Sequence, residues 1–149
     1  MNIFNPDFSD FIAALNTADV KYMLVGGYAV IIHGYNRTTG DLDIWVERSE
    51  ENYEKLLQAF RIFGMSVFDM SKINFLENEA MDVFTFGRPP VSIDLMVALK
   101  GLVFSSTYLK SQIKFIEGLE VRLLSIESLI EAKKLSGRNK DLDDIEHLL

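Results

Sequence analysis

Cysteine is absent from this sequence, which excludes disulfides and thiolate metal sites and fits a cytoplasmic protein. No apolar run approaches the roughly 20 residues needed to span a bilayer. The opening, MNIFNPDFSD, is acidic and lacks the basic and apolar regions of a secretory signal, so a cytoplasmic location without membrane attachment is expected. Basic side chains are in deficit as well: 15 Lys and Arg stand against 22 Asp and Glu, a formal net charge of −7. Adhesion to a phosphate backbone relies on displaced counterions, so this balance argues mildly against a polymeric nucleic-acid substrate. Repeats, low-complexity tracts and long linkers are missing too. The 149 residues are therefore expected to form a single domain, 1–149, large enough to bury a real core. Hydrophobic residues at 48% and charged residues at 25% are the balance of a soluble globular protein.

The apolar pattern changes period along the chain. Phe8, Phe11, Ile12 and Leu15 recur at helical spacing within 7–18, and Tyr53, Leu56, Leu57, Phe60 and Phe63 do so within 50–63, where Gly64 stops the helix. A short strand over 21–25 ends at Gly26-Gly27, and 28–33 suits a helix that Gly34 terminates. Over 42–47 Leu42, Ile44 and Val46 alternate with Asp43 and Trp45, and Asp41 extends the second face. Strand-like pieces are expected at 66–70, 74–76, 81–86 and 91–97, with a turn at Gly87-Arg88-Pro89-Pro90. Segments 113–116 and 120–123 predict a hairpin. Ser125 opens a helix through Leu135 that Gly137 stops. A last helix runs from about Lys140, with Asn139 as its cap and Leu142, Ile145 and Leu149 facing inward. Strands interleaved with helices predict an α+β (mixed α/β) class: a mixed twisted sheet flanked by helices, with a helical C-terminus.

The segment Tyr22–Val46, YMLVGGYAVIIHGYNRTTGDLDIWV, carries the chemistry. Gly26-Gly27 after a buried strand lets the backbone approach a ligand with no Cβ in the way, and the helix that follows points free N–H groups at the same place, a seat for phosphate. Alone, a Gly pair reads as a plain tight turn. No G-x-x-x-x-G-K-[ST] and no G-x-G-x-x-G occurs. Asp41 and Asp43, two apart in a strand, offer two carboxylates to one place, the donor set Mg2+ prefers beside water and substrate phosphate. A lone Asp-x-Asp reads as a solvated strand end. That reading loses ground because Asp43 and Asp94 both sit within apolar strands. Asp94, in VSIDLMV, is the preferred third carboxylate for a two-ion site, ahead of Asp82, which shares a face with Phe84 and Phe86. An EF-hand is excluded, because the third loop ligand and central Gly are missing.

These residues together resemble the signature of the nucleotidyltransferase superfamily, whose fold is that of DNA polymerase beta: Leu24-Val-Gly-Gly, about a dozen residues, Thr39-Gly-Asp-Leu-Asp, then a later strand Asp. Val25-Gly-Gly-Tyr-Ala-Val-Ile-Ile-His-Gly and the closing Gly-Arg-Asn-Lys-Asp-Leu-Asp-Asp-Ile are similar to its small bacterial branch, which includes abortive-infection and toxin–antitoxin nucleotidyltransferases. The resemblance implies a Mg2+-dependent transfer of a nucleoside monophosphate from an NTP, ATP among them, to a hydroxyl-bearing acceptor, with release of pyrophosphate. It implies that Gly26 and Gly27 hold the triphosphate, that Asp41, Asp43 and Asp94 ligate the metals, and that Asp94 helps deprotonate the acceptor. Arg37, Lys140 and Arg138 are candidates for phosphate neutralisation, with solvated surface charge as the plainer role, above all for Arg138. Asp141 and Asp144 are expected to pair with basic neighbours or cap a helix. His33 is expected to pack at a helix end, Tyr28 in the core rather than on a base, and Trp45 to line the site.

The chain stops just after its last helix, so no separate domain for gripping tRNA or DNA is expected. A small molecule, a protein side chain or a tRNA end remain as acceptors, and a partner protein or a homodimer would complete the pocket. The alternatives are a non-catalytic nucleotide-binding or interaction module that keeps the fold, and the toxin half of a two-gene system.

Overall fold

The computed structural model describes residues 3–88 and 91–149. At its centre β1 (Tyr22–Val25) runs antiparallel to β2 (Leu42–Val46) on one side and parallel to β6 (Leu119–Leu123) on the other. Beyond β2 lie β4 (Val91–Met96), parallel to it, and the edge strand β3 (Val83–Arg88), antiparallel to β4. The opposite edge is β5 (Gln112–Ile116), paired in a hairpin with β6. The order β3-β4-β2-β1-β6-β5 makes one mixed sheet, the class the sequence predicts.

The register divides the side chains between two faces. Tyr22, Leu24, Leu42, Ile44, Val46, Ile93, Leu95, Phe84 and Phe86 share one face and are all buried. Against that face pack α1 (Pro6–Thr17) and α3 (Glu50–Phe63), with Phe11 edge-on to Phe60 and Phe60 against Phe86. Each such fully buried side chain contributes about 1.5–3 kcal/mol. Asn5 caps α1, its side chain accepting from the Asp7 and Phe8 amides. Ser49 caps α3, and Gly64 ends it at φ +86°, a left-handed conformation that favours glycine. Buried Asn52 fixes α3 to the sheet: it accepts from the Lys21 amide and donates to the Lys21 and Glu47 carbonyls.

The second face carries Met23, Trp45 and Met96 beside Asp43 and Asp94. It is partly covered by α5 (Phe104–Leu109), whose Phe104 meets Trp45 edge-on at 5.1 Å. The short α2 (Gly26–Ile32), then α6 (Ile126–Ser136) and α7 (Asn139–Leu148), close the end of the sheet where β1 finishes.

Several local expectations change. Residues 72–76 form the helix α4 (Lys72–Leu76) rather than a strand, because the Ser71 hydroxyl caps the Asn74 amide. Segment 66–70 is a turn, with the Phe68 amide bonded to Ser66 Oγ and Phe68 itself at φ +48°. Gly87 and Arg88 continue β3, and Pro89-Pro90 lies outside the described residues. The helix α5 is not expected from the sequence; Phe104 and Tyr108, four apart, stack on each other and pack inward from it. In α7 the cap position belongs to Arg138, and Leu142 and Leu149 are exposed. Ile145 faces inward as expected, but it is joined there by Asp141 and Asp144, which Lys133, Arg138 and Arg37 partner.

Candidate active site

The site begins where β1 ends. Val25 pairs with Asp43, so the next residue, Gly26, passes directly over the Asp43 side chain. Gly26 has φ +67°, and a Cβ there would lie 2.9 Å from both Cβ and Cγ of Asp43 and closer still to a carboxylate oxygen. Only glycine fits. Gly27 answers to a different neighbour, since a Cβ on it would lie 2.8 Å from the Thr39 Cβ and 3.2 Å from Arg37 Nη2. The pair thus serves two close approaches, one to the acid and one to the loop before β2.

The parallel pairing of β2 with β4 sets Asp43 against Asp94, and the antiparallel pairing of β3 with β4 sets Thr85 against Asp94. Thr85 Oγ1 donates to Asp94 Oδ1 at 2.7 Å. Asp41 lies one step back, where Ser92 Oγ donates to its Oδ1 at 2.5 Å. Burial pushes the Asp43 carboxyl up to about 7, helped by the charges of Asp94 and Asp41 and by a hydrogen bond with Asp94; Lys140 pulls weakly the other way. A carboxyl so placed ionises less readily than an ordinary aspartate, and positive charge beside it would favour the ionised form. Among the described residues no three acidic or imidazole groups form a closed metal cage: Asp43 and Asp94 face one another while Asp41 turns to Ser92. Asp82 is exposed at the other end of β4, its carbonyl accepting from the Val97 amide.

Next to Asp43 a cleft of about 140 Å³ opens between the end of the sheet and α6 and α7. Val25, Met96, Leu99, Leu124, Leu129 and Ala132 form its apolar wall, and Asp43, Lys133, Arg138 and Asp141 its charged side. Behind that side lies a buried ion network. Lys133 Nζ is 3.1 Å from Asp141 Oδ1 and 3.2 Å from Asp144 Oδ2. Arg138 Nε donates to Asp141 Oδ2 at 2.7 Å, and Arg37 Nη2 to Asp144 Oδ2 at 3.1 Å. Burial pushes Asp141 up, but bonds from Arg138, Ser136 and Lys133 outweigh it and hold the carboxyl well below its usual range.

Asp41, Asp43, Asp94 and Gly26 are thus brought to one region, with exposed Lys140 close enough to act on Asp43. Arg37 is not a solvated charge: it is spent on Asp144, with Nε 2.9 Å from Oδ1. Asp141 and Asp144 pair with basic neighbours, as expected. Trp45 is 1% exposed under Phe104 and does not line the cleft, because α5 covers it. Tyr28 packs on Phe4 and Phe8 in the core, and His33 ends α2 with Nε2 donating to the Leu124 carbonyl at 2.7 Å. The sequence reading missed Thr85, Ser92 and the inward turn of Lys133. Only the last has a sequence signal, the three-residue spacing of Asp141 and Asp144, which puts two acids on one helix face in need of a cation.

The fold has known counterparts. The lincosamide antibiotic adenylyltransferase LnuA superposes with a TM-score of 0.63 at 17% identity, covering 99% of this chain and 98% of that one. The antibiotic-resistance factor ANT(2'')-Ia gives 0.59 at 14% identity, over 95% and 80% of the two chains. An antigenic nucleotidyltransferase-like protein from Paracoccidioides brasiliensis gives 0.55 at 17% identity, over 94% and 72%. At these identities the likeness shows a shared nucleotidyltransferase fold. By sequence, no curated protein matches the chain. The model of the family described as nucleotidyltransferase of unknown function (DUF6036) matches residues 8–148, and the chain belongs to that family of NMP-transferring enzymes.

Proposed function

We propose that this protein transfers a nucleoside monophosphate from an NTP, in the presence of Mg2+, to a hydroxyl-bearing acceptor, with Asp41, Asp43 and Asp94 as the acidic centre. The observation that carries the reading is the Asp43–Asp94 register, which seats two carboxyls side by side under the Gly26 bend, with no salt bridge to either among the described residues. Such a donor set suits a hard divalent ion, since oxygen ligands short of positive charge are what Mg2+ neutralises. Asp43 and Asp94 would hold the ion, with Asp41 beside them. The bound ion would neutralise phosphate charge and ease ionisation of the acceptor hydroxyl.

The protein's own residues do the rest. Gly26 keeps the backbone close to Asp43, so that a phosphate at the start of α2 lies beside the carboxylates, where the first N–H groups of that helix have no side-chain cap. Lys140 stands exposed nearby to meet phosphate charge. Asp94 is the residue to accept the acceptor's proton, being partly exposed and next to the open edge strand β3. The apolar wall of the cleft excludes water on the Asp43 side.

The test is incubation with labelled NTPs, Mg2+ and either cell extract or tRNA. A labelled product is expected, reduced by roughly 10²–10⁴-fold in Asp43→Ala and Asp94→Ala. Nucleotide binding without transfer to any acceptor would instead make the protein a binding module.

A further inference from the structure

Two hydroxyls on the β3–β4 hairpin touch the acidic centre, and neither belongs to the sequence signature. Thr85 is the cross-strand partner of Asp94 and donates to its Oδ1 at 2.7 Å. Ser92, two residues before Asp94 and so on the same side of β4, donates to Asp41 Oδ1 at 2.5 Å. Each outer carboxylate therefore has one oxygen engaged by a hydroxyl, and Asp94 also shares a hydrogen bond with Asp43. Asp43, between them, accepts from neither hydroxyl.

The arrangement matters because of how an aspartate moves. Its terminal torsion is broad and roughly two-fold, so an unrestrained Asp94 offers either oxygen over a wide arc. A hydrogen bond from a fixed donor removes that freedom. Thr85 is such a donor: it is β-branched, hence stiff at χ1, and it sits in a six-residue strand paired along its length with β4. Ser92 is 4% exposed, so its hydroxyl has little alternative to Asp41.

We propose that Thr85 and Ser92 are positioning residues, which hold one oxygen of Asp94 and of Asp41 and thereby fix which oxygen each presents to the cation and the acceptor. The role rests on the reading of this site as a nucleotidyl-transfer centre. It differs from an ordinary structural role, because Thr85 is exposed on an edge strand, where Val substitutes without loss of β propensity.

Two measurements on the full chain decide it: steady-state transfer from labelled NTP, and binding of Mn2+ alone followed by electron paramagnetic resonance. Thr85→Val is expected to lower kcat about tenfold or more and to weaken Mn2+ binding by a similar factor, the usual cost of losing an outer-shell partner. Its KM for NTP and its thermal midpoint are expected to stay at their original values. Thr85→Ser, which restores the hydroxyl, is expected to recover both losses, and Ser92→Ala to follow Thr85→Val in direction. If the unaltered chain binds Mn2+ and transfers while Thr85→Val matches it, the positioning role is wrong and the reading of the site stands. A Thr85→Ser variant as impaired as Thr85→Val also overturns the role. If the unaltered chain neither binds Mn2+ nor labels an acceptor, the reading itself fails and the positioning role falls with it.

Discussion

Two pairs of aspartates each send one member, Asp43 and Asp141, to the same cleft, and the protein treats the pairs in opposite ways. Asp141 and Asp144 are 0% and 1% exposed, yet three cations meet them: Lys133 between the two, Arg138 on one and Arg37 on the other. Asp43 and Asp94 are less buried and, among the described residues, form no salt bridge; of the cations, Asp43 feels only Lys140 and Arg138, from a distance. The carboxyl of Asp141 is held well below its usual range, and that of Asp43 is raised to about 7. Burial works against ionisation in both places. Charge supplied by the chain itself decides the outcome in the first, and its lack decides the outcome in the second. One pair is finished as structure, joining α6, α7 and the loop before β2. The other is left short of positive charge, the condition of a site that acts on something brought from outside.

The sharpest test of this contrast is to remove the shared cation. Lys133→Ala leaves two buried acids facing a gap, and a loss of roughly 3–5 kcal/mol is expected in chemical denaturation. A loss below about 1 kcal/mol would mean that Arg138 and Arg37, rather than Lys133, balance the pair.

The second test runs in the opposite direction. A folded-state value of about 7 for Asp43, against an ordinary 3.8, means the folded chain binds the extra proton between these values. The contribution of Asp43 to stability is therefore highest below pH 4, falls as pH rises toward 7, and levels off above, for a total of up to about 4 kcal/mol. Asp43→Asn cannot ionise, so it is expected to melt above the unaltered chain at pH 8 and by less than half as much at pH 5. The same difference at both pH values would show that Asp43 is not the group responsible.

The smallest effect is expected from the ion. Mg2+ at ten times its dissociation constant adds about 1.4 kcal/mol to the folded state, and the melting temperature at pH 8 should rise accordingly. Asp43→Asn should lose that rise, and Lys133→Ala should keep it. A rise that survives Asp43→Asn places the ion elsewhere.

Much of this was readable before folding was considered. The amphipathic stripes of α1 and α3, the Gly stops and the helix start at Ser125 rest on local backbone and side-chain physics, so sequence and structure agree there. The errors fall where long-range contacts outrank local pattern. Leu142 lost the inward face of α7 to Asp141 and Asp144, since their cations come from α6 and from the loop at Arg37. Segments 66–70 and 74–76 are apolar enough for strands, yet only Met70 and Phe75 are fully buried, and serine hydroxyls shape the rest into a turn and a helix.

By itself the sequence determined that strand-borne aspartates follow a diglycine bend, because residue type and a period of two are local properties of the chain. It also determined that no cysteine takes part. Only the tertiary structure decided which acids meet. The parallel register of β2 and β4 lies between segments some fifty residues apart, and it alone puts Asp43 beside Asp94. The same is true of Thr85 and Ser92, whose hydroxyls gain a role from the strand across from them and not from their neighbours in sequence.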